Sequence, residues 1–199
     1  MKKILLASVA GLLISAPVFA AENQAYAAFD AGQSTASNSC DGVPATVACK
    51  KTDTAYRIAA GYGFTRNFGA EVSYTDYGKA RLSGTVGAVA VVANAGATAF
   101  QIVGTGVLPL SQNFSLTAKL GFASVSTKAN ATAVVGPFSV AASTSATNNN
   151  AVFGIGAEYA FTPAISGRLN YEDLGTIGDA ATMGKSKLTS VTAGLVVNF

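Results

Sequence analysis

Apolar and polar residues alternate along most of this chain, and the last stretch shows it most cleanly. Thr189, Val191, Ala193, Leu195, Val197 and Phe199 fall on one face; Ser190, Thr192, Gly194, Val196 and Asn198 fall on the other. A period of two marks a strand, because successive side chains point to opposite sides. Eight such stretches can be read, at about Gln24–Gln33, Thr54–Phe64, Phe68–Tyr77, Thr98–Leu108, Phe114–Ser126, Ala151–Phe161, Ile165–Asp173 and Lys187–Phe199. In the second, Tyr56, Ile58, Ala60, Tyr62 and Phe64 oppose Arg57, Ala59, Gly61 and Gly63. In the sixth, Phe153, Ile155, Ala157, Tyr159 and Phe161 oppose Val152, Gly154, Gly156 and Glu158. The first stretch is the weakest, with Ala27, Phe29 and Ala31 outward and Asp30 inward. An apolar face that runs to a terminal aromatic suits a lipid-facing strand, where aromatic girdles sit at the interface.

The connections alternate in length. Thr65–Asn67, Pro109–Asn113 and Thr162–Ala164 are short; Ser34–Asp53, Gly78–Ala97, Thr127–Asn150 and Leu174–Ser186 are long. Short turns at one end and long loops at the other is the plan of an outer-membrane barrel, with the long loops outside the cell and both termini periplasmic. The fold expected is therefore all-β, an eight-stranded antiparallel up-and-down transmembrane β-barrel over residues 21–199. A closed barrel also pairs every backbone group, as lipid requires. Two of the long connections are rich in Ala, Val, Thr, Ser and Asn with almost no charge. Their Thr-Val alternation is strand-like, so their inner parts are expected to extend the hairpins above the membrane.

Composition supports this placement. Half of the residues are hydrophobic and only 12% are charged, against about 25% in an ordinary soluble domain. Beyond the first twenty residues, no run reaches the roughly 18 apolar residues of a spanning helix. Residues 1–20 read as a cleavable secretory signal: Lys2 and Lys3, then an apolar run from Ile4 to Ile14, then Val18 and Ala20 before the cut. Removing Lys2 and Lys3 from the 13 basic residues leaves 11 against 10 acidic ones. That balance gives no sign of nucleic-acid binding. Cys40 and Cys49 are the chain's two cysteines, both in the first outer loop, and an oxidising periplasm favours joining them. Two cysteines and no histidine are too few for a metal site. The lack of histidine also removes Ser–His or Asp–His activation, so neither catalysis nor a cofactor is expected.

Three segments carry a resemblance: GYGFTRNFGAEVSYTDYGKA (61–80), GIGAEYAFTPAISGRLNY (154–171) and IGDAATMG (177–184). They resemble the transmembrane domain of outer membrane protein A, in the right order and over most of residues 21–199. The resemblance implies an eight-stranded barrel of the Gram-negative outer membrane, with roles in envelope integrity, small or gated pores, adhesion or phage reception. It implies that Ala193, Leu195, Val197 and Phe199 form the signal read by the barrel-assembly machinery. Relatives often carry a peptidoglycan-binding domain after the barrel. The sequence here stops at Phe199, so tethering by that route is not expected.

The inward positions carry the candidate site. Arg57, Glu71, Lys119, Glu158 and Arg168 point into the lumen, with Asp30 and Glu172 beside them by the same alternation. Glu71, Lys119, Glu158 and Arg168 lie five or six residues from a short turn, roughly 13 Å up at about 3.3 Å per residue and a tilt near 40°. Folding the sixth and seventh strands around Pro163 places Glu158 opposite Arg168; folding the second and third places Glu71 opposite Gly61. Isolated charges at this depth are costly, so these are expected to pair and plug the lumen. The family resemblance makes Glu71, Glu158 and Arg168 a salt-bridge lock and Lys119 a further matching cation, but near Thr105 the family's fourth-strand cation is missing. A switch between Glu partners is not carried over. The function expected is a structural envelope barrel with surface-interaction loops. Its partners are outer-membrane lipid and lipopolysaccharide, the assembly machinery, and a host surface or phage. A small gated channel is the alternative. A soluble lipocalin-like barrel, the alternative fold, would turn Arg57, Glu71 and Arg168 outward.

Overall fold

The computed structural model describes residues 23–181 and 184–199; the expected signal segment lies outside the described residues. Nine strands follow one another: β1 (Gln24–Ser37), β2 (Val47–Lys50), β3 (Thr52–Gly63), β4 (Phe68–Val86), β5 (Val89–Pro109), β6 (Phe114–Val135), β7 (Phe138–Ala160), β8 (Ile165–Asp179) and β9 (Gly184–Asn198). All pairings are antiparallel. Taken without β2, they close a ring of eight, β1–β3–β4–β5–β6–β7–β8–β9, because β9 returns to pair with β1. The ring leaves no open sheet edge within its wall, which is the condition for strands to cross lipid. No helix among the described residues is long and apolar enough to cross a membrane.

Sidedness follows the alternation. Ile58, Phe122 and Leu169 are 59%, 75% and 57% exposed on the outer wall, while Arg57 and Glu71 are 1% exposed inside. This is the reverse of a lipocalin-like barrel. The outer wall pairs aromatics across and along strands, as in the Phe29–Tyr56 contact at 6.5 Å and the Tyr62–Phe64 and Tyr159–Phe161 contacts at 5.6 and 5.5 Å.

The long connections are mostly strand. The β4–β5 ladder runs up to Val86↔Val89 and the β6–β7 ladder to Val135↔Phe138, leaving two-residue turns at Gly87–Ala88 and Gly136–Pro137. Each glycine has positive φ, +62° and +55°, which two-residue hairpin loops ask for at their first central position. The first outer loop is narrowed by β2, which had no sequence signal of its own. It pairs with the upper part of β4 where β3 has left off, Val47↔Gly84 to Lys50↔Arg81. Cys49 of β2 is joined to Cys40 by a disulfide, with Cα atoms 5.8 Å apart.

Two β-bulges break the ladders at the top of the lipid-facing wall, and they share a sequence, Tyr-x-Asp-x-Gly. In Tyr74–Gly78, Tyr77 and Gly78 oppose only Ala97; in Tyr171–Gly175, Leu174 and Gly175 oppose only Leu188. In each, the aspartate oxygen accepts the glycine N–H at 2.9 Å (Asp76 with Gly78, Asp173 with Gly175). In each the glycine sits at φ near +70°. The extra residue re-aims the chain, and the residue between Asp and Gly, Tyr77 or Leu174, turns fully inward. Strands β4 and β8 are four places apart in a ring of eight, so these two side chains enter from opposite walls. With Val103, Val125, Val152, Ile177 and Leu188 they form an apolar core inside the upper lumen.

Two outcomes test this account. Gly78→Ala and Gly175→Ala both place a side chain at positive φ, costing about 1–2 kcal/mol. At Gly78 the new Cβ would also stand 2.7 Å from the Thr54 carbonyl oxygen, whereas at Gly175 the nearest atom is 3.8 Å away. In urea titrations of refolded protein, Gly78→Ala should therefore lower the midpoint more; equal midpoints would contradict the packing described. Replacing both cysteines by serine opens a short loop, so the barrel should lose less than about 3 kcal/mol. Limited proteolysis should then cut the 38–46 tip faster while the barrel fragment persists.

Candidate functional site

The lumen's polar centre is built by alternation on five strands. Inward positions of β1, β3, β4, β6 and β8 bring Asp30, Arg57, Glu71, Lys119, Arg168 and Glu172 into one cluster, all buried. Glu71 is the hub. Its Oε1 accepts from the Arg57 guanidinium and from Lys119 Nζ at 3.0 Å; its Oε2 accepts from Arg168 Nη1 at 2.8 Å. Arg168 also grips Asp30 at two points, Nε to Oδ1 at 2.7 Å and Nη2 to Oδ2 at 2.6 Å. Arg57 Nη1 donates to Glu172 Oε1 at 2.7 Å, with Lys119 Nζ 3.6 Å from the same oxygen. Three cations thus meet three carboxylates, and the planar guanidinium forks satisfy carboxylate oxygens in pairs. Glu71 and Arg168 stand on β4 and β8, so their bond spans the barrel from wall to wall.

Asp30 and Glu172, the less clearly placed of the inward charges, are full members of this cluster. Glu158 is not. It lies opposite Arg168 in the β7–β8 register, but the guanidinium turns across the lumen to Asp30 and Glu71. Among the described residues no ion pair includes Glu158. Glu71 does pair with Gly61 in register, yet the space over that glycine is taken by the Tyr26 ring. The Tyr26 hydroxyl donates to Glu71 Oε2 at 3.0 Å. Tyr26 carried a legible signal that went unused: it lies four residues before Asp30, so a strand with Asp30 inward puts Tyr26 inward too.

The lumen divides at this cluster. Above it lies the apolar core, within which Gln101 Nε2 donates to the Tyr77 hydroxyl at 2.7 Å. Below it a cavity of about 520 Å³ opens toward the short turns, with Glu71, Lys119, Glu158 and Arg168 on its walls and Arg66 and Asn198 near its mouth. The described residues hold no group of three or more His, Cys, Asp and Glu side chains arranged for a metal. Ala193, Leu195 and Val197 stand on the outer wall of β9, and the N–H of Phe199 donates to the Ala25 carbonyl at 2.9 Å, which carries the ring closure to the last residue.

Comparison with known proteins agrees with this architecture. Among solved structures, Ail of Yersinia pestis superposes with a TM-score of 0.57 at 17% identity, covering 90% of this chain and 100% of its own. OprG of Pseudomonas aeruginosa gives 0.57 at 9% identity, covering 91% and 99%. The N-terminal barrel of Pseudomonas aeruginosa OprF gives 0.51 at 12%, covering 89% and 98%. At these identities the likeness is one of fold. No curated protein sequence matches the chain. The family model for the OmpA-like transmembrane domain matches residues 20–199. With that match spanning a ring that closes on itself around a buried charge cluster, the chain belongs to the OmpA-like transmembrane domain family of outer-membrane β-barrels.

Proposed function

We propose that the protein is a structural, non-enzymatic component of the outer membrane whose lumen is locked shut and whose raised hairpins make surface contacts. The observation that carries this reading is the filling of the lumen: six interlocked buried charges, with Tyr77, Leu174 and their apolar neighbours packed above them. In this reading the short turns and both termini face the periplasm and the hairpins face outward. Ala193, Leu195, Val197 and Phe199 serve as the recognition pattern for assembly. Ail has been solved with the heparin analogue sucrose octasulfate; by analogy, the hairpins here are the part offered to a host surface or phage. A gated channel is the second reading, favoured by the cavity of about 520 Å³ that leads from the short-turn end to the cluster.

Two measurements test the lock. Glu71→Gln leaves Arg57, Lys119 and Arg168 facing one another with a carboxylate removed, so it should cost about 3–5 kcal/mol in urea unfolding. Glu158→Gln, which breaks no ion pair, should change stability by much less. In planar bilayers the purified mature protein should conduct little, and Arg168→Ala, which takes one partner from Glu71 and the two-point grip from Asp30, should raise the frequency of openings. Large, steady conductance from the unmodified protein would favour the channel over the lock.

A further inference from the structure

Tyr74, Phe100 and Phe122 are the last aromatic side chains on the outer walls of β4, β5 and β6 before the hairpins rise. Above them the same wall becomes cationic. Gly96 of β5 is in register with Lys79 of β4 on one side and Lys128 of β6 on the other, so both lysines stand on the outward face with a glycine between them. The Lys79 stem leans over that glycine: a Cβ there would lie 3.2 Å from Lys79 Cγ and 3.7 Å from Cε. Arg81, the next outward residue of β4, is in register with Lys50 of β2.

The local carboxylates do not neutralise this row. Asp53 is shared between Lys50 at 3.7 Å and Arg81 at 4.0 Å. It also accepts the Lys79 backbone N–H at 2.8 Å, which holds its carboxyl below the ordinary range. Asp76 is turned to the N–H of Gly78. Among the described residues, Lys79 and Lys128 take part in no ion pair. The far side of the ring differs: there Lys187 is matched by Asp173 at 2.7 Å. Three basic side chains, Lys79, Arg81 and Lys128, therefore gather on the outward face of β4 and β6 with only the shared Asp53 to offset them.

We propose that Lys79, Lys128 and Arg81 dock the phosphate groups of an outer-leaflet glycolipid, lipopolysaccharide being the membrane's own source. The position selects a lipid over a soluble anion. Gly96 is four residues beyond Phe100, roughly 10 Å higher at about 3.3 Å per residue and a tilt near 40°. Acyl chains can lie along the aromatic wall below while long lysine stems reach the headgroup layer. Like charges side by side repel, so an anion that bridges them is bound by both. The inference rests on the outward orientation of the hairpins proposed above, which surface labelling of an Ala88→Cys variant on intact cells tests separately.

The experiment is native mass spectrometry of the refolded full-length mature protein in micelles, titrated with lipid A and with dephosphorylated lipid A. The wild type should retain lipid A and hold the dephosphorylated form at least tenfold more weakly. Lys79→Gln with Lys128→Gln should weaken lipid A binding at least tenfold. Lys79→Arg with Lys128→Arg should keep it, and Lys185→Gln should stay within twofold of wild type. Heat-modifiable gel mobility confirms that each variant is folded. Undiminished binding by the double glutamine variant, or equal binding of both lipids, would overturn the proposal. So would sucrose octasulfate binding as tightly as lipid A and being lost in the same variant, since the site would then serve a soluble polyanion.

Discussion

Glu71 is the group on which the buried charge cluster depends. Taking a carboxylate out of water costs several kcal/mol, and attraction to one counterion repays that only with good geometry and full hydrogen bonding. Glu71 meets the condition by accepting from Arg57, Lys119, Arg168 and Tyr26 at once. Each donor comes from a different strand, so the satisfaction of one side chain ties β1, β3, β6 and β8 to β4. Such a cluster is stable as a whole and costly to break in part. That property suits a barrel whose outer surface gains little from contact with lipid, since lipid is as apolar as the side chains that face it.

The division of the lumen follows from the same constraint. An eight-stranded barrel has an interior that side chains just fill, so what fills it decides what passes. Charges that satisfy one another occupy the middle, and above them Val, Ala, Ile and Leu pack with the bulge-borne Tyr77 and Leu174, among a few buried polar side chains such as Gln101 and Ser34. The lower third keeps smaller or more widely spaced side chains, and its space stays open. One wall thus borders three environments inside while facing lipid outside.

Most of the barrel could be read from alternation alone, because a one-residue slip would put every ionised side chain into lipid and every Phe into the lumen. That fixed the sides of Ile58, Phe122 and Leu169 and of Arg57, Glu71 and Arg168. Register near the short turns was also legible, since folding about Pro163 pairs Glu158 with Arg168. Which charges touch was not. Register fixes Cα neighbours along the wall, whereas long side chains choose partners across the lumen, so Arg168 reaches Asp30 and Glu71 and leaves Glu158 aside. The bulges hid for a related reason: after Asp76 and Asp173 the alternation slips by one, and a reader following it sees a strand end where the strand in fact continues.

Those two Tyr-x-Asp-x-Gly steps act as a seam between two halves built to different rules. Below them, length is set by membrane thickness and register by the ion cluster, so the wall tolerates neither insertion nor slippage. Above them, the β4–β5 and β6–β7 hairpins are each held by their own ladder and a two-residue turn. Residues can be added or removed there in pairs without moving Glu71 or its partners. The fold therefore lets its outward reach evolve, or be engineered, while the embedded portion stays unchanged.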